Sequence, residues 1–65
     1  MRIRVNGEWA DLEARTIADV LRRYGLEHRP IVVEANGTIV GKDGWETVEV
    51  SDGMILEIVH FVGGG

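Results

Sequence analysis

Three features of the sequence predict an α+β fold, a mixed four- to five-stranded sheet with one main helix across one face. The first residues alternate apolar and charged side chains, one later segment spaces its apolar residues helically, and the remainder falls into short apolar runs divided by glycine-containing turns. The 65 residues allow one domain.

Ile3 and Val5 alternate with Arg2 and Arg4, the pattern of a half-buried strand. Asn6-Gly7 follows, and a type I′ hairpin turn needs positive φ at both central positions, which these residues tolerate. A second strand is predicted from Glu8 to Glu13, with Leu12 in the core. Thr16 opens the helix, with Asp19 completing an imperfect capping box, and Ile17, Val20, Leu21 and Tyr24 form one apolar stripe. Gly25 supplies a left-handed cap, and Pro30 prevents continuation.

Strands are then predicted at Ile31 to Ala35, Thr38 to Val40, Thr47 to Val50 and Met54 to Val62. Asn36-Gly37, Lys42 to Trp45 and Ser51-Asp52-Gly53 lie between them as turns. A hairpin, a crossing helix and further strands make the β-grasp arrangement, in which the first and last strands pair in parallel at the middle of the sheet. The domain is read as residues 1–62, followed by a flexible glycine tail at 63–65.

Composition limits the function. So short a domain buries roughly 60% of its unfolded surface, leaving little material for an enclosed catalytic site, and the chain is read as a non-enzyme. It contains no cysteine, which excludes a disulfide, a thiol nucleophile and a cysteine-ligated zinc. The net charge of −4 disfavours nucleic-acid backbones. No run reaches the ~20 apolar residues of a membrane span, and the polar start predicts no secretory leader, so a cytoplasmic location is expected. His28 and His60 have no second ligand at strand or helical spacing, so no metal is expected, and Trp9 and Trp45 are read as packing residues.

In the last strand, Leu56 and Ile58 are expected to face the helix, because Glu57 on the other side would be costly to bury unpaired. Ile55, Val59 and Phe61 then fall on the opposite face, where either a docking partner or Trp9 and its neighbours cover them. The sequence closes on Gly63-Gly64-Gly65. Such a tail is thin and reaches ~10 Å over three residues, so Gly63 and Gly64 suit threading a narrow channel to deliver the Gly65 carboxylate. Adenylation would turn that carboxylate into an electrophile open to a sulfur or an amine nucleophile. The chain has no phosphate-binding loop, so the ATP site would belong to a partner. An inert end is the plainer reading of the same glycines.

Arg4-Val5-Asn6-Gly7-Glu8, the Thr16 to Leu21 helix start, Asn36-Gly37-Thr38-Ile39-Val40 with Trp45, and Asp52-Gly53 before Ile58 to Gly65 resemble the ThiS family of thiamine-biosynthesis sulfur carriers. The resemblance spans the whole chain. It implies that an E1-like adenylyltransferase of the ThiF type activates Gly65 with ATP and magnesium. A cysteine persulfide donor then supplies sulfur for a Gly65 thiocarboxylate, and a thiazole synthase of the ThiG type consumes it. No cofactor is implied on this chain itself. Met54 departs from the acidic residue usual in the family after Asp52-Gly53, and Gly63 extends the usual diglycine. The small subunit of molybdopterin synthase and carriers for tRNA thiolation or protein conjugation share the fold and tail chemistry. An interaction module with an inert tail is the reading from another class.

Overall fold

The computed structural model describes residues 1–61. Its elements are β1 (Arg2–Val5), β2 (Glu8–Asp11), α1 (Ile17–Arg23), β3 (Ile31–Ala35), β4 (Thr38–Val40), a 3-10 turn (Lys42–Gly44) and β5 (Ile55–His60). Two Asn-Gly turns generate the hairpins. Asn6 and Asn36 both have φ of 49°, and Gly7 and Gly37 both have φ of 85°, the positive pair that a type I′ turn demands. β1 therefore pairs antiparallel with β2, and β3 with β4. β5 joins the hairpins, parallel to β1 and antiparallel to β3, giving the order β2-β1-β5-β3-β4. This is the expected β-grasp sheet, with the first and last strands adjacent.

The helix is bounded by its own chemistry. The Thr16 hydroxyl accepts from Asp19 N at 3.2 Å, while Asp19 Oδ2 accepts from Thr16 N at 3.1 Å and from Arg15 N at 3.0 Å. The shorter aspartate thus completes a full capping box where an imperfect one was expected. At the other end Gly25, with φ of 68°, donates to Arg22 O, and Leu26 N donates to Leu21 O, which is a Schellman closure. Ile17, Ala18, Val20 and Leu21 are buried. Tyr24 leaves the predicted stripe: it is the C-cap residue, where the backbone departs from the helix, and its side chain is 43% exposed.

Val20, Leu21, Leu56 and Ile58 are buried together as expected, with Ile3, Val5, Leu12, Val33 and Trp45 completing much of the same core. Trp45 packs as predicted, its Nε1 donating to Val40 O at 3.0 Å. Three strand expectations are corrected. β2 ends at Asp11 rather than Glu13; Leu12 N still bonds Met1 O, its opposite residue in the β1–β2 register, and the Leu12 side chain enters the core as expected. Residues Thr47 to Val50 form no strand beyond a single bridge between Glu49 and Thr16. Their neighbourhood serves the helix instead: Val48 O accepts from Ile17 N and Trp45 O from Ala18 N, satisfying two amides that lack partners at a helix start. β5 covers Ile55–His60 instead of Met54 to Val62; Phe61 N bonds Pro30 O outside the strand, and Val62 lies outside the described residues.

Both turn asparagines also bind β5. β1 ends at Val5 while β5 continues, and the next β5 donor, Ile58 N, gives its hydrogen bond to Asn6 Oδ1 at 2.7 Å. On the opposite flank, where β3 ends, Ile55 N donates to Asn36 Oδ1 at 2.9 Å and Asn36 N returns a bond to Ile55 O at 2.8 Å. Asn36→Ala should destabilise the fold by about 2 kcal/mol, combining ~1 for the bond and ~1 for left-handed backbone in a non-glycine residue. Asn36→Gly keeps the turn and should cost only the bond, about 1 kcal/mol. Urea unfolding measures both, and an Asn36→Gly variant as stable as the parent would show that the side-chain bond contributes nothing.

Candidate functional site

The face of the sheet away from α1 is set by register. Row by row it carries Trp9, Arg4 and Ile55, then Glu57, Glu34 and Ile39, then Val59 beside Val32. Ile55 is 39% exposed, Val59 55% and Phe61 49%, so the three residues expected on the outer face lie there or at its margin. Trp9 does not close this face as a packed residue would. It is 48% exposed, and Arg2 stacks over its ring with the guanidinium carbon 5.4 Å from the centroid. With Val32 and Ile39 also exposed, the apolar surface is larger than the predicted trio.

Val32 and Ile39 escaped the sequence reading because their exposure depends on which strands flank β3 and β4. The alternation of Val32 and Glu34 with Val33 and Ala35 was the available signal. At one margin a surface cleft of about 340 Å³ is lined by Val32, Ile39, Trp45 and Phe61, with Arg29 and Lys42 also contributing. It makes the outer face continuous with the point where the chain leaves β5. Gly63, Gly64 and Gly65, the predicted threading and delivery residues, lie outside the described residues.

The ion pairs of the described residues lie away from this face. Arg22 bonds Asp19 at 3.1 Å and also pairs closely with Glu46. Backbone amides of Arg15 and Thr16 hold the Asp19 carboxyl below its ordinary pKa, and the Glu46 carboxylate raises that of Arg22. These groups anchor the helix to the segment after the 3-10 turn. His60 ends β5 and is exposed, as is His28. Among the described residues no group of three or more His, Cys, Asp or Glu side chains could hold a metal.

The two sides of β5 should respond differently to truncation. Leu56→Ala removes a fully buried side chain and should cost about 3 kcal/mol. Val59→Ala and Phe61→Ala remove half-exposed groups and should each stay within about 1 kcal/mol of the parent. Denaturant midpoints compare them; a loss at Val59 equal to that at Leu56 would mean that the outer face is covered within the domain.

The whole chain has recognisable relatives. The ThiS family model matches residues 2–65. The sulfur carrier protein ThiS of Bacillus subtilis (strain 168) is 50% identical over 50 residues, covering 77% of this chain and 76% of that protein. A thiazole synthase of Paramagnetospirillum magneticum is 41% identical over 66 residues, covering all of this chain but only 20% of that longer protein. Among solved structures, the thiamine biosynthesis protein ThiS of Geobacter metallireducens superposes with a TM-score of 0.85 at 26% identity, over 100% of both chains. The family model, a curated relative at 50% identity and the shared fold agree over most or all of the length, and the chain belongs to the ThiS family.

Proposed function

We propose that the protein is a sulfur carrier for thiazole formation in thiamine biosynthesis, acting through the Gly65 carboxylate. The observation that carries this reading is family similarity running through residue 65, including 50% identity with a sulfur carrier. The chemistry fits what the chain contains and lacks. A carboxylate is a poor electrophile, and the chain supplies neither a phosphate loop nor a thiol. Activation therefore falls to an E1-like adenylyltransferase holding ATP and magnesium. Gly65 attacks the α-phosphorus, pyrophosphate leaves, and an acyl-adenylate forms.

The terminal sulfur of a cysteine persulfide then attacks the acyl carbon, and AMP leaves. A second thiol of the relay cleaves the S–S bond, forming a disulfide and leaving a thiocarboxylate on Gly65. Thiazole synthase takes that sulfur. This chain is a carrier in the sequence and not a catalyst. It works in the cytoplasm beside these enzymes; no helix among its described residues is long and apolar enough to cross a membrane.

Gly63 and Gly64 thread the tail, having no Cβ to block a narrow channel. Ile55, Val59 and Phe61 form the docking face, where buried apolar area contributes about 25 cal/mol per Å² before association costs.

With an E1-like partner, ATP, magnesium and a persulfide donor, intact-mass analysis should find oxygen replaced by sulfur at Gly65. Removing Gly65 should abolish the product without unfolding the domain, and Gly64→Val should impair it. Sulfur found on another residue, or full activity without Gly65, would overturn the assignment. Separately, Phe61→Ala and Val59→Ala should weaken binding to the activating enzyme or the thiazole synthase by about tenfold each, the equivalent of 1.4 kcal/mol. Calorimetric titration tests this, and unchanged affinities for both partners would place the interface elsewhere.

A further inference from the structure

The middle of the apolar outer face holds two carboxylates side by side. Glu34 of β3 and Glu57 of β5 are directly opposed in register. Facing pairs of this kind have Cβ atoms roughly 5 Å apart, and like charges placed so are unfavourable. Glu57 is exposed and Glu34 half-buried, and neither makes an ion pair among the described residues. Their row is completed by Asn6, whose side-chain oxygen accepts from Ile58 N, and by Ile39. Of the cations on the same face, Arg4 lies one row away beside Ile55, and Arg2 is stacked on Trp9. The described fold gives the acidic pair no structural partner, and a partner covering Ile55, Val59 and Phe61 must strip its water.

We propose that the Glu34–Glu57 pair is a recognition site for a basic side chain, an arginine, on the thiazole synthase. The inference rests on the carrier reading above and adds a specificity element to the docking face. An arginine suits the surroundings. Its planar fork offers several donors to the two carboxylates, while its weakly hydrated faces lie against flanking apolar groups such as Val59 and Ile39. A buried cation removes the repulsion that the free carrier tolerates.

A second copy of this chain is a poor occupant, because a two-fold contact through this centre would set acid against acid between protomers of charge −4. The synthase is favoured because a carrier-like stretch and thiazole synthase share one chain in the Paramagnetospirillum relative, where the stretch aligns over 20% of the length. Such a pairing favours a defined mutual surface.

The test titrates purified thiazole synthase with the wild-type carrier, Glu34→Gln, Glu57→Gln and the double variant, at low and high salt. The double variant should bind at least about tenfold more weakly at low salt, with the gap narrowing as salt screens the contact. Its own thermal midpoint should equal or exceed that of the wild type, because the repulsion is gone. A merely solvated acidic pair would not weaken binding while preserving stability. Double-variant affinity equal to wild type overturns the proposal. So does a wild-type dimer in sedimentation that the double substitution dissociates, which would assign the face to a second copy. Sulfur loading of the wild type by the activating enzyme is measured in parallel. Failure there removes the carrier reading, whereas normal loading with unchanged double-variant affinity removes the acidic-pair proposal alone.

Discussion

The structure depends on β5 being held from both sides by hairpins that were already complete without it. Each hairpin turns at Asn-Gly, and each asparagine spends its side-chain oxygen on a β5 amide: Asn6 on Ile58 and Asn36 on Ile55. The residues that permit the turns thus extend the ladder where the neighbouring strands run out. Among polar residues, asparagine combines tolerance of positive φ with an acceptor on a short side chain. This couples local turn formation to the most distant hydrogen bond among the described residues, between positions 52 apart. The register it fixes places Leu56 and Ile58 inside and Ile55, Glu57 and Val59 outside. A one-residue slip would exchange those sets.

The helix depends on a similar economy. Its seven residues are too few to be stable alone. The capping box and Schellman closure satisfy its ends locally, while the carbonyls of Trp45 and Val48 take further amides of the first turn. The segment after the 3-10 turn is therefore a brace for the helix, with Trp45 buried beneath it and Glu46 paired to Arg22 above. These anchors lie on the helix side, which leaves the outer face of the sheet free of structural duty.

Much of this was legible because local chemistry and long-range architecture agree. The Asn-Gly pairs, the Ile17/Val20/Leu21 stripe and the position of Glu57 between Leu56 and Ile58 each encode the observed arrangement. Three readings missed because tertiary contacts decided them. Thr47 to Val50 has strand composition, yet its backbone groups are drawn to the helix start. Tyr24 continues the helical spacing, but the Gly25 closure turns the chain at that position. Trp9 reads as a packing residue that helps close the outer face, yet in register with Arg4 it stays half-exposed there, with Arg2 over its ring. The outer face was half visible: alternation in the last strand exposed Ile55, Val59 and Phe61, while the opposition of Glu34 and Glu57 required knowing which strands are neighbours.

The position of the proposed docking face relative to the end of β5 gives the carrier proposal a geometric consequence. Phe61 is tied through its amide to Pro30 O and lines the cleft shared with Val32 and Ile39, so the last described residue is fixed against the apolar surface. Four residues follow, Val62 to Gly65, and a fully extended chain of that length spans at most ~14 Å. A partner seated on Val59 and Phe61 must therefore hold its reacting atoms within about that distance of the face. Docking and delivery are linked by the shortness of this connection: an enzyme that shifts its seat by one strand spacing, ~4.8 Å, loses about a third of the available reach. Under the carrier proposal, different enzymes drawing on the same Gly65 carboxylate would be constrained to approach overlapping parts of one surface. Discrimination among them would then fall to features within that surface, where the acidic pair proposed above offers a charge pattern that apolar contacts alone lack.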